Sequence, residues 1–364
     1  MTLVLFALGL GLLVLGAEWL VRGAARLAAT AGMSSLIIGL TVVSFGTSAP
    51  ELAVSTQSAF SGQADIALGN VIGSNIFNVL LILGISAVIT PLVVQRQLVR
   101  LDVPVMIGIS FLVLLLGRDG QIGRLDGALL FSGLVAYIGF QIWQGHREAA
   151  AGESAPAPAD DAPEPIQTPR QLLWDLLLIG VGLGFLVLGS RWMVDGAVAM
   201  ARFFGLSELV IGLTIVAVGT SLPEVAASII AALRGERDIA VGNVVGSNIF
   251  NILGILGLTG IVAPDGIGVA ASTLAFDIPV MIAVAVACLP IFFTSWTIAR
   301  WEGWLLLGYY GAYMTYVLLA ATNHNALPLV STGLGLIALP LTAVVLTFMG
   351  GREFIGQRQL RAEG

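Results

Sequence analysis

The sequence contains no lysine, one cysteine and two histidines, and only 10% of its 364 residues are charged. Each scarcity excludes something. Cys288 lies in an apolar run without an intrachain partner, so there is no disulfide framework. His146 at a linker edge and His324 in a loop match no zinc spacing and point to no metal site of that kind. A phosphate loop, a nucleophile elbow and a basic nucleic-acid patch are also missing. Neither an enzyme, nor a cofactor, nor a nucleic-acid or obligate protein partner is expected. A soluble domain carries about 25% charged residues, far more than this chain.

What fills the chain instead is apolar sequence: 57% of residues are hydrophobic and the mean hydropathy is +0.97. Eleven candidate spans read as roughly 3–21, 34–60, 66–90, 101–117, 126–144, 172–190, 208–232, 239–262, 273–293, 303–321 and 328–348, near the ~20 residues a helix needs to cross a bilayer. The first is not expected to be a signal peptide, because Arg22 follows the apolar stretch rather than leading it. Arginine placement tests the count. With the N-terminus outside, twelve arginines fall inside and only Arg118, Arg124, Arg191 and Arg202 fall outside, as the positive-inside rule requires. The reading is a multi-pass protein of the plasma (inner) membrane, with the linker and C-terminus cytoplasmic. Trp19, Trp143, Trp174, Trp192 and Trp301 near span ends fit interfacial anchoring.

The chain repeats itself. Residues 44–84 align with 217–257 without a gap, with 25 identities in 41 positions. Weaker matches pair "LGAEWLVRGA" with "LGSRWMVDGA" and "LDVPVMI" with "FDIPVMI". The Pro-, Ala- and acid-rich stretch "AGESAPAPADDAPEPIQTP" separates the copies and reads as a disordered linker. The expected units are a first five-helix repeat (1–145), a cytoplasmic linker (146–171), a second repeat (172–322) and an extra helix with a tail (323–364). Five is odd, so the second copy enters the membrane inverted. The fold class is therefore an all-α polytopic membrane protein of two inverted five-helix repeats, a ten-helix core, plus one extra C-terminal transmembrane helix. In such folds the binding site lies at the midplane where the repeats meet.

Two segments break the apolar pattern, "GTSAPELAVS" from Gly46 and "GTSLPEVAAS" from Gly219. Proline removes a backbone N–H and crowds the carbonyl four residues back. Pro50 should free the carbonyl of Gly46, and Pro223 that of Gly219, breaking the second and seventh helices at mid-depth. Irregular backbone survives there only against protein or a polar cavity. Glu51 and Glu224 follow the breaks, and an acid at the bilayer centre costs about 2.5–3.5 kcal/mol on insertion scales. Across the repeat axis the two carboxylates can face each other, and a bound cation would relieve their repulsion. Ser48-x-x-Glu51 also fits a capping box, an alternative in which the glutamate merely starts a half-helix.

"GNVIGSNIFN" (69–78) and "GNVVGSNIFN" (242–251) add oxygen. Asn70, Ser74 and Asn78 stand at i, i+4 and i+8, one stripe of a helix face, and Asn243, Ser247 and Asn251 repeat it. Asn70 and Asn243 are as well read as interhelical glue as ligands; for the other four ligation is favoured. Asp65 and Asp238 read as solvated caps, Asp102 and Asp277 as interfacial, and Glu18 lacks an acidic counterpart because Arg191 stands there. The donors are all hard oxygen, which disfavours softer transition metals and suits calcium, which takes 6–8 oxygens at about 2.3–2.6 Å. Sodium, of similar size, could use the same oxygens.

The two motif pairs resemble the signature repeats of the calcium/cation antiporter superfamily, on its sodium/calcium exchanger side, and the resemblance covers about residues 1–320. It implies exchange of Ca2+ for Na+ by alternating access, with the first and sixth helices sliding over the rest, and four adjoining cation sites. Glu51 and Glu224 would be the central ligands and the carbonyls of Thr47 and Thr220 would complete the calcium site. Ser48, Ser221, Ser74 and Ser247 would serve flanking sodium sites, with backbone oxygen near Ser44 and Ala217, while Asn78 and Asn251 would line the middle. Some relatives carry aspartate where Asn251 stands, the potassium-dependent branch among them, so Asn251 argues against potassium co-transport. The short linker leaves no room for the large calcium-sensing region of animal exchangers, and the eleventh helix falls outside the ten-helix pattern. Proton/calcium exchange is the alternative, and a passive cation channel a remote one.

Overall fold

A segment crossing lipid must satisfy every backbone N–H and C=O within itself, so apolar runs of this length fold as helices. The structure, a computed structural model, describes residues 2–31, 33–62, 64–151, 169–204, 217–322 and 324–333. Its helices are α1 (Thr2–Ala31), α2 (Ser35–Thr47), α3 (Ala49–Phe60), α4 (Ile66–Ile89), α5 (Leu98–Asp119), α6 (Arg124–Ala151), α7 (Pro169–Phe203), α8 (Leu222–Leu233), α9 (Arg237–Val262), α10 (Thr273–Phe293), α11 (Arg300–Ala321) and α12 (Leu327–Gly333). Among the described residues eight are long and apolar enough to cross a membrane, and α2 with α3, bent by 45°, makes a ninth. This is an all-helical multi-pass membrane protein.

Helix α8 and the residues from Ala217 before it are the described part of the expected seventh span, whose earlier residues lie outside the described ones, as does most of the eleventh span. Most of the expected linker lies outside them too. Its edges are shorter than the sequence suggested: α6 continues to Ala151 and α7 begins at Pro169, so His146 sits on a helix.

The centre of the molecule is α4 and α9, with 72% and 89% of their apolar windows buried, whereas α11 has 6% buried and faces outward. Both central helices carry a π-helical turn beginning at an asparagine, Asn78–Leu83 and Asn251–Leu256. Such turns break the i→i+4 register, and in helices they often mark functional positions. The broken helices pack against this centre, α3 on α4 and α8 on α9.

Two short ribbons tie distant loops together. β1 (Leu92–Val93) pairs antiparallel with β4 (Thr297–Ile298), and β2 (Gln121–Ile122) with β3 (Ile267–Gly268). With the expected seventh span counted as a crossing, β1 and β4 fall on one side of the membrane and β2 and β3 on the other, so the pairings fit the ten-span core expected from the sequence.

Helices α1 and α7 run against each other along a glycine seam. A Cβ added at Gly16 would stand 2.7 Å from the carbonyl oxygen of Gly182, and one at Gly182 would stand 2.8 Å from that of Gly16. Gly9 and Gly189 make the same close approach. Only a side chain of one hydrogen lets two backbones come this near, the small-residue packing that substitutes in lipid for hydrophobic association. In detergent-solubilised protein, Gly16→Ala and Gly182→Ala should each lower the melting temperature, at an overpacking cost of about 1–3 kcal/mol. Gly11→Ala, where no atom lies within 4 Å of the added methyl, should be neutral. Equal melting temperatures for all three variants would contradict the seam.

Candidate cation-binding site

Helix α2 ends at Thr47 and α3 restarts at Ala49, with Pro50 in its first turn and Ser48 between them at φ −80° and ψ 7°. The second copy does the same. A helical turn, Ala217–Gly219, precedes Ser221 at φ −89° and ψ 7°, and α8 restarts at Leu222 with Pro223. Each break thus falls just after the glycine expected to mark it. Gly46 and Gly219 have another use, since a Cβ would meet Leu183 at 2.6 Å and Val194 at 2.5 Å, both on α7.

Glu51 and Glu224 occupy the first turns of the restarted helices, where the unpaired N–H groups of a helix start favour negative charge. Both are buried, with 1% of their surface exposed. Neither serine caps its own helix, so the capping-box alternative fails. The bonds run crosswise. Ser48 Oγ donates to Glu224 Oε1 at 2.9 Å, and Ser221 Oγ donates to Glu51 Oε1 at 2.9 Å. Ser221 Oγ also lies 3.3 Å from Ser74 Oγ. These contacts bring the two breaks and the partner helix α4 to one place.

Among the described residues neither glutamate has an arginine in ion-pair range, and no three His, Cys, Asp or Glu side chains cluster. Isolated buried charge is expensive and is ordinarily paired or bound to metal. Glu51 Oε2 and Glu224 Oε2 are buried without a hydrogen-bond partner. So are Thr220 Oγ1, Ser247 Oγ, Asn78 Oδ1 and Asn251 Oδ1. All six oxygens can accept, the two hydroxyls donating as well, and such a set suits a hard cation.

The remaining expected residues divide. Thr47 Oγ1 donates to Asn243 Oδ1 at 3.1 Å, and Ser44 turns its hydroxyl back to the Leu40 carbonyl at 2.6 Å. The Ser44 carbonyl accepts the Ser48 N–H at 3.1 Å. Ala217 opens the helical turn before the second break. The Gly219 carbonyl, expected to be free for a ligand, is taken by Ser190 Oγ at 2.5 Å. Position 17 of the first copy holds alanine, so Gly46 has no such donor from α1.

Asn70 and Asn243 act as ties. Asn70 Nδ2 donates to Ser55 Oγ at 3.1 Å, and Asn243 Nδ2 donates to Ser228 Oγ at 2.9 Å, linking each central helix to its broken neighbour. Sequence reasoning passed over Asn75 and Asn248. Both are buried at the contact between α4 and α9, where Asn78 Nδ2 donates to Asn248 Oδ1 at 2.9 Å and Asn251 Nδ2 to Asn75 Oδ1 at 3.1 Å. The duplicated "SNIFN" was the available signal.

The other acids differ in their surroundings. Asp102 is fully buried within the protein, accepting from Tyr137 Oη at 2.9 Å and Gln141 Nε2 at 2.7 Å. Asp277 is half-buried at the start of α10. Asp238 is no free cap, because Gln95 Nε2 donates to it at 2.7 Å. Asp65 lies in the first turn of the helix Ala64–Phe77. Glu18 on α1 pairs with Arg22 at 2.7 Å and with Arg234 at the end of α8.

A family model described as sodium/calcium exchanger protein matches residues 1–143 and 174–319, covering both copies of the motif. The chain belongs to the sodium/calcium exchanger family. It is 41% identical over 281 residues to the putative antiporter CaxA of Alkalimonas amylolytica, covering 77% of this chain and 86% of that protein. It is 33% identical over 338 residues to the sodium/calcium exchanger MaX1 of Methanosarcina acetivorans, covering 84% and 95%. The inner membrane protein YrbG of Escherichia coli K12 is 38% identical over 292 residues, covering 78% and 87%. Among solved structures, the sodium-calcium exchanger NCX_Mj soaked with Na+ and Ca2+ superposes with a TM-score of 0.71 at 32% identity, covering 84% of this chain and 95% of that one. This family member is a membrane transporter, not an enzyme.

The ties differ in strength between the copies. Asn243 also receives the Thr47 hydroxyl, while among the described residues Asn70 bonds to the Ser55 side chain alone. Interhelical hydrogen bonds in membranes are worth under ~2 kcal/mol each. Asn243→Val should therefore destabilise the ion-free protein by about 1–2 kcal/mol, and Asn70→Val by less than about 1 kcal/mol. Thermal unfolding in detergent measures both, and a larger loss at Asn70 would refute the assignment.

Proposed function

We propose that this protein exchanges Ca2+ for Na+ across the inner membrane by alternating access. One observation carries the reading: two buried carboxylates, hydrogen-bonded crosswise through Ser48 and Ser221, each keep a free oxygen and, among the described residues, have no cationic side chain in range. Two negative charges match one Ca2+ or two monovalent ions. Glu51 and Glu224 are the central ligands in this reading, with the carbonyls of Thr47 and Thr220 beside them. Ser48, Ser221, Ser74 and Ser247 serve flanking sodium sites with backbone oxygen near Ser44 and Ala217, and Asn78 and Asn251 line the middle. The names of MaX1 and NCX_Mj as sodium/calcium exchangers support the choice of ions. That of YrbG as an inner membrane protein supports the compartment.

The repeat supplies the mechanism. Residues 1–145 and 172–322 form two inverted five-helix units joined by the 146–171 linker, the N-terminus outside and the linker and C-terminus cytoplasmic, and 323–364 adds a further helix. Helices α1 and α7, packed on their glycine seam, slide as one body across α3 and α8 and expose the site to each side in turn. If three Na+ load against two carboxylates, one positive charge accompanies each Ca2+, and exchange is electrogenic.

Proteoliposomes loaded with Na+ should take up radiolabelled Ca2+, and vesicles loaded with K+ or given only a pH gradient should not. Glu51→Gln and Glu224→Gln should each abolish uptake. Uptake that ignored Na+ and followed the pH gradient would replace this reading with proton/calcium exchange, and flux without any counter-ion would make the protein a channel.

A further inference from the structure

An amide side chain can present either an oxygen or an NH2 group to a cation, and only the oxygen binds it. Which end of Asn78 and Asn251 points away from their mutual contacts is settled by a chain of bonds that begins at backbone carbonyls. A carbonyl oxygen can only accept. Asn75 Nδ2 donates to the Asn248 carbonyl at 3.4 Å, so the NH2 end of Asn75 lies on that side. Its Oδ1 then faces the other way and must receive a donor, which is Asn251 Nδ2 at 3.1 Å. With its NH2 committed, Asn251 is left with a free Oδ1, buried and unpartnered.

The second copy repeats each step. Asn248 Nδ2 donates to the Asn75 carbonyl at 3.3 Å, Asn248 Oδ1 accepts Asn78 Nδ2 at 2.9 Å, and Asn78 Oδ1 remains buried without a partner. The Met281 sulfur lies 3.5 Å from Asn75 Nδ2 and the Met106 sulfur 3.5 Å from Asn248 Nδ2, each methionine coming from the other copy. Sulfur is a weak acceptor and no donor of hydrogen bonds here, so it too favours the NH2 end. These methionines are the matched residues of "VPVMI" and "IPVMI".

We propose that Asn75 and Asn248 are positioning residues which fix the polarity of the central amides, Asn75 holding the oxygen of Asn251 toward the cation and Asn248 that of Asn78. The inference rests on the proposed cation site. The control is crosswise: each lock acts on the asparagine of the other copy. Removing Asn75 lets Asn251 turn its NH2 toward the cation, while Asn78 stays held.

The test is a set of double-mutant cycles on the full-length protein, reading Ca2+ affinity by binding to purified protein and the melting temperature without Ca2+ in parallel. Aspartate presents oxygen in either rotamer, so it needs no lock. Asn75→Ala should weaken Ca2+ binding about tenfold, and adding Asn251→Asp should restore it beyond the gain that Asn251→Asp makes alone, a coupling of about tenfold. Asn248→Ala should couple in the same way to Asn78→Asp. The same-copy pairs, Asn75→Ala with Asn78→Asp and Asn248→Ala with Asn251→Asp, carry the same added charge and should be additive within about threefold.

Additivity in all four cycles, or equal coupling in all four, would overturn the proposal and leave Asn75 and Asn248 as interhelical glue that moves only the melting temperature. If Asn75→Ala does not give monodisperse protein, Asn75→Ser is scored by the same cycles. Absence of Ca2+ binding by the unsubstituted protein would instead count against the proposed function itself.

Discussion

Two carboxylates lie in the middle of a hydrophobic molecule with no positive side chain beside them among the described residues, and much of the architecture follows from holding them there. A glutamate in lipid needs donors, and two breaks supply them. Each break provides a helix start for its own glutamate and a serine hydroxyl for the other one. Crosswise donation works only if the breaks are adjacent, so the copies must meet at this point. The meeting requires central helices buried almost throughout, which α4 and α9 are. The site and the fold are therefore one problem in packing.

Away from the centre the packing loosens in an ordered way. Helices α1 and α7 touch each other backbone to backbone, yet much of their length faces outward. The ion pair from Glu18 to Arg234 joins this pair to the end of α8, and two ribbons fix the loops. The glycine seam holds α1 and α7 to each other as a pair, while the central asparagines are tied across the two copies by hydrogen bonds.

The copies are not equivalent, and the differences lie where hydrogen bonds decide. Ser190 takes the Gly219 carbonyl, whereas Ala17 at the corresponding place has no hydroxyl. Asn243 is fully buried and bonded to three residues, while Asn70 is half-buried. Asp102 sits in a closed nest with Tyr137 and Gln141, but Asp277 at the matched position is half-buried. The first of these asymmetries is written in the sequence, whereas the unequal burial of Asn70 and Asn243 is not, because the motifs that hold them are nearly identical.

The sequence by itself determined the helical membrane fold, the repeat, the breaks near Pro50 and Pro223 and the glutamates after them. These are local consequences: proline removes a donor wherever it stands, and apolar length alone commits a segment to lipid. Which oxygens remain free was decided only by the tertiary structure. Whether Ser48 caps its own helix or serves Glu224, whether the Gly219 carbonyl is open, and which end of Asn251 is exposed all depend on partners about 30 to 176 residues away. A hydrogen bond has direction and needs a specific neighbour within about 3 Å, and no composition or spacing along the chain records which neighbour that is.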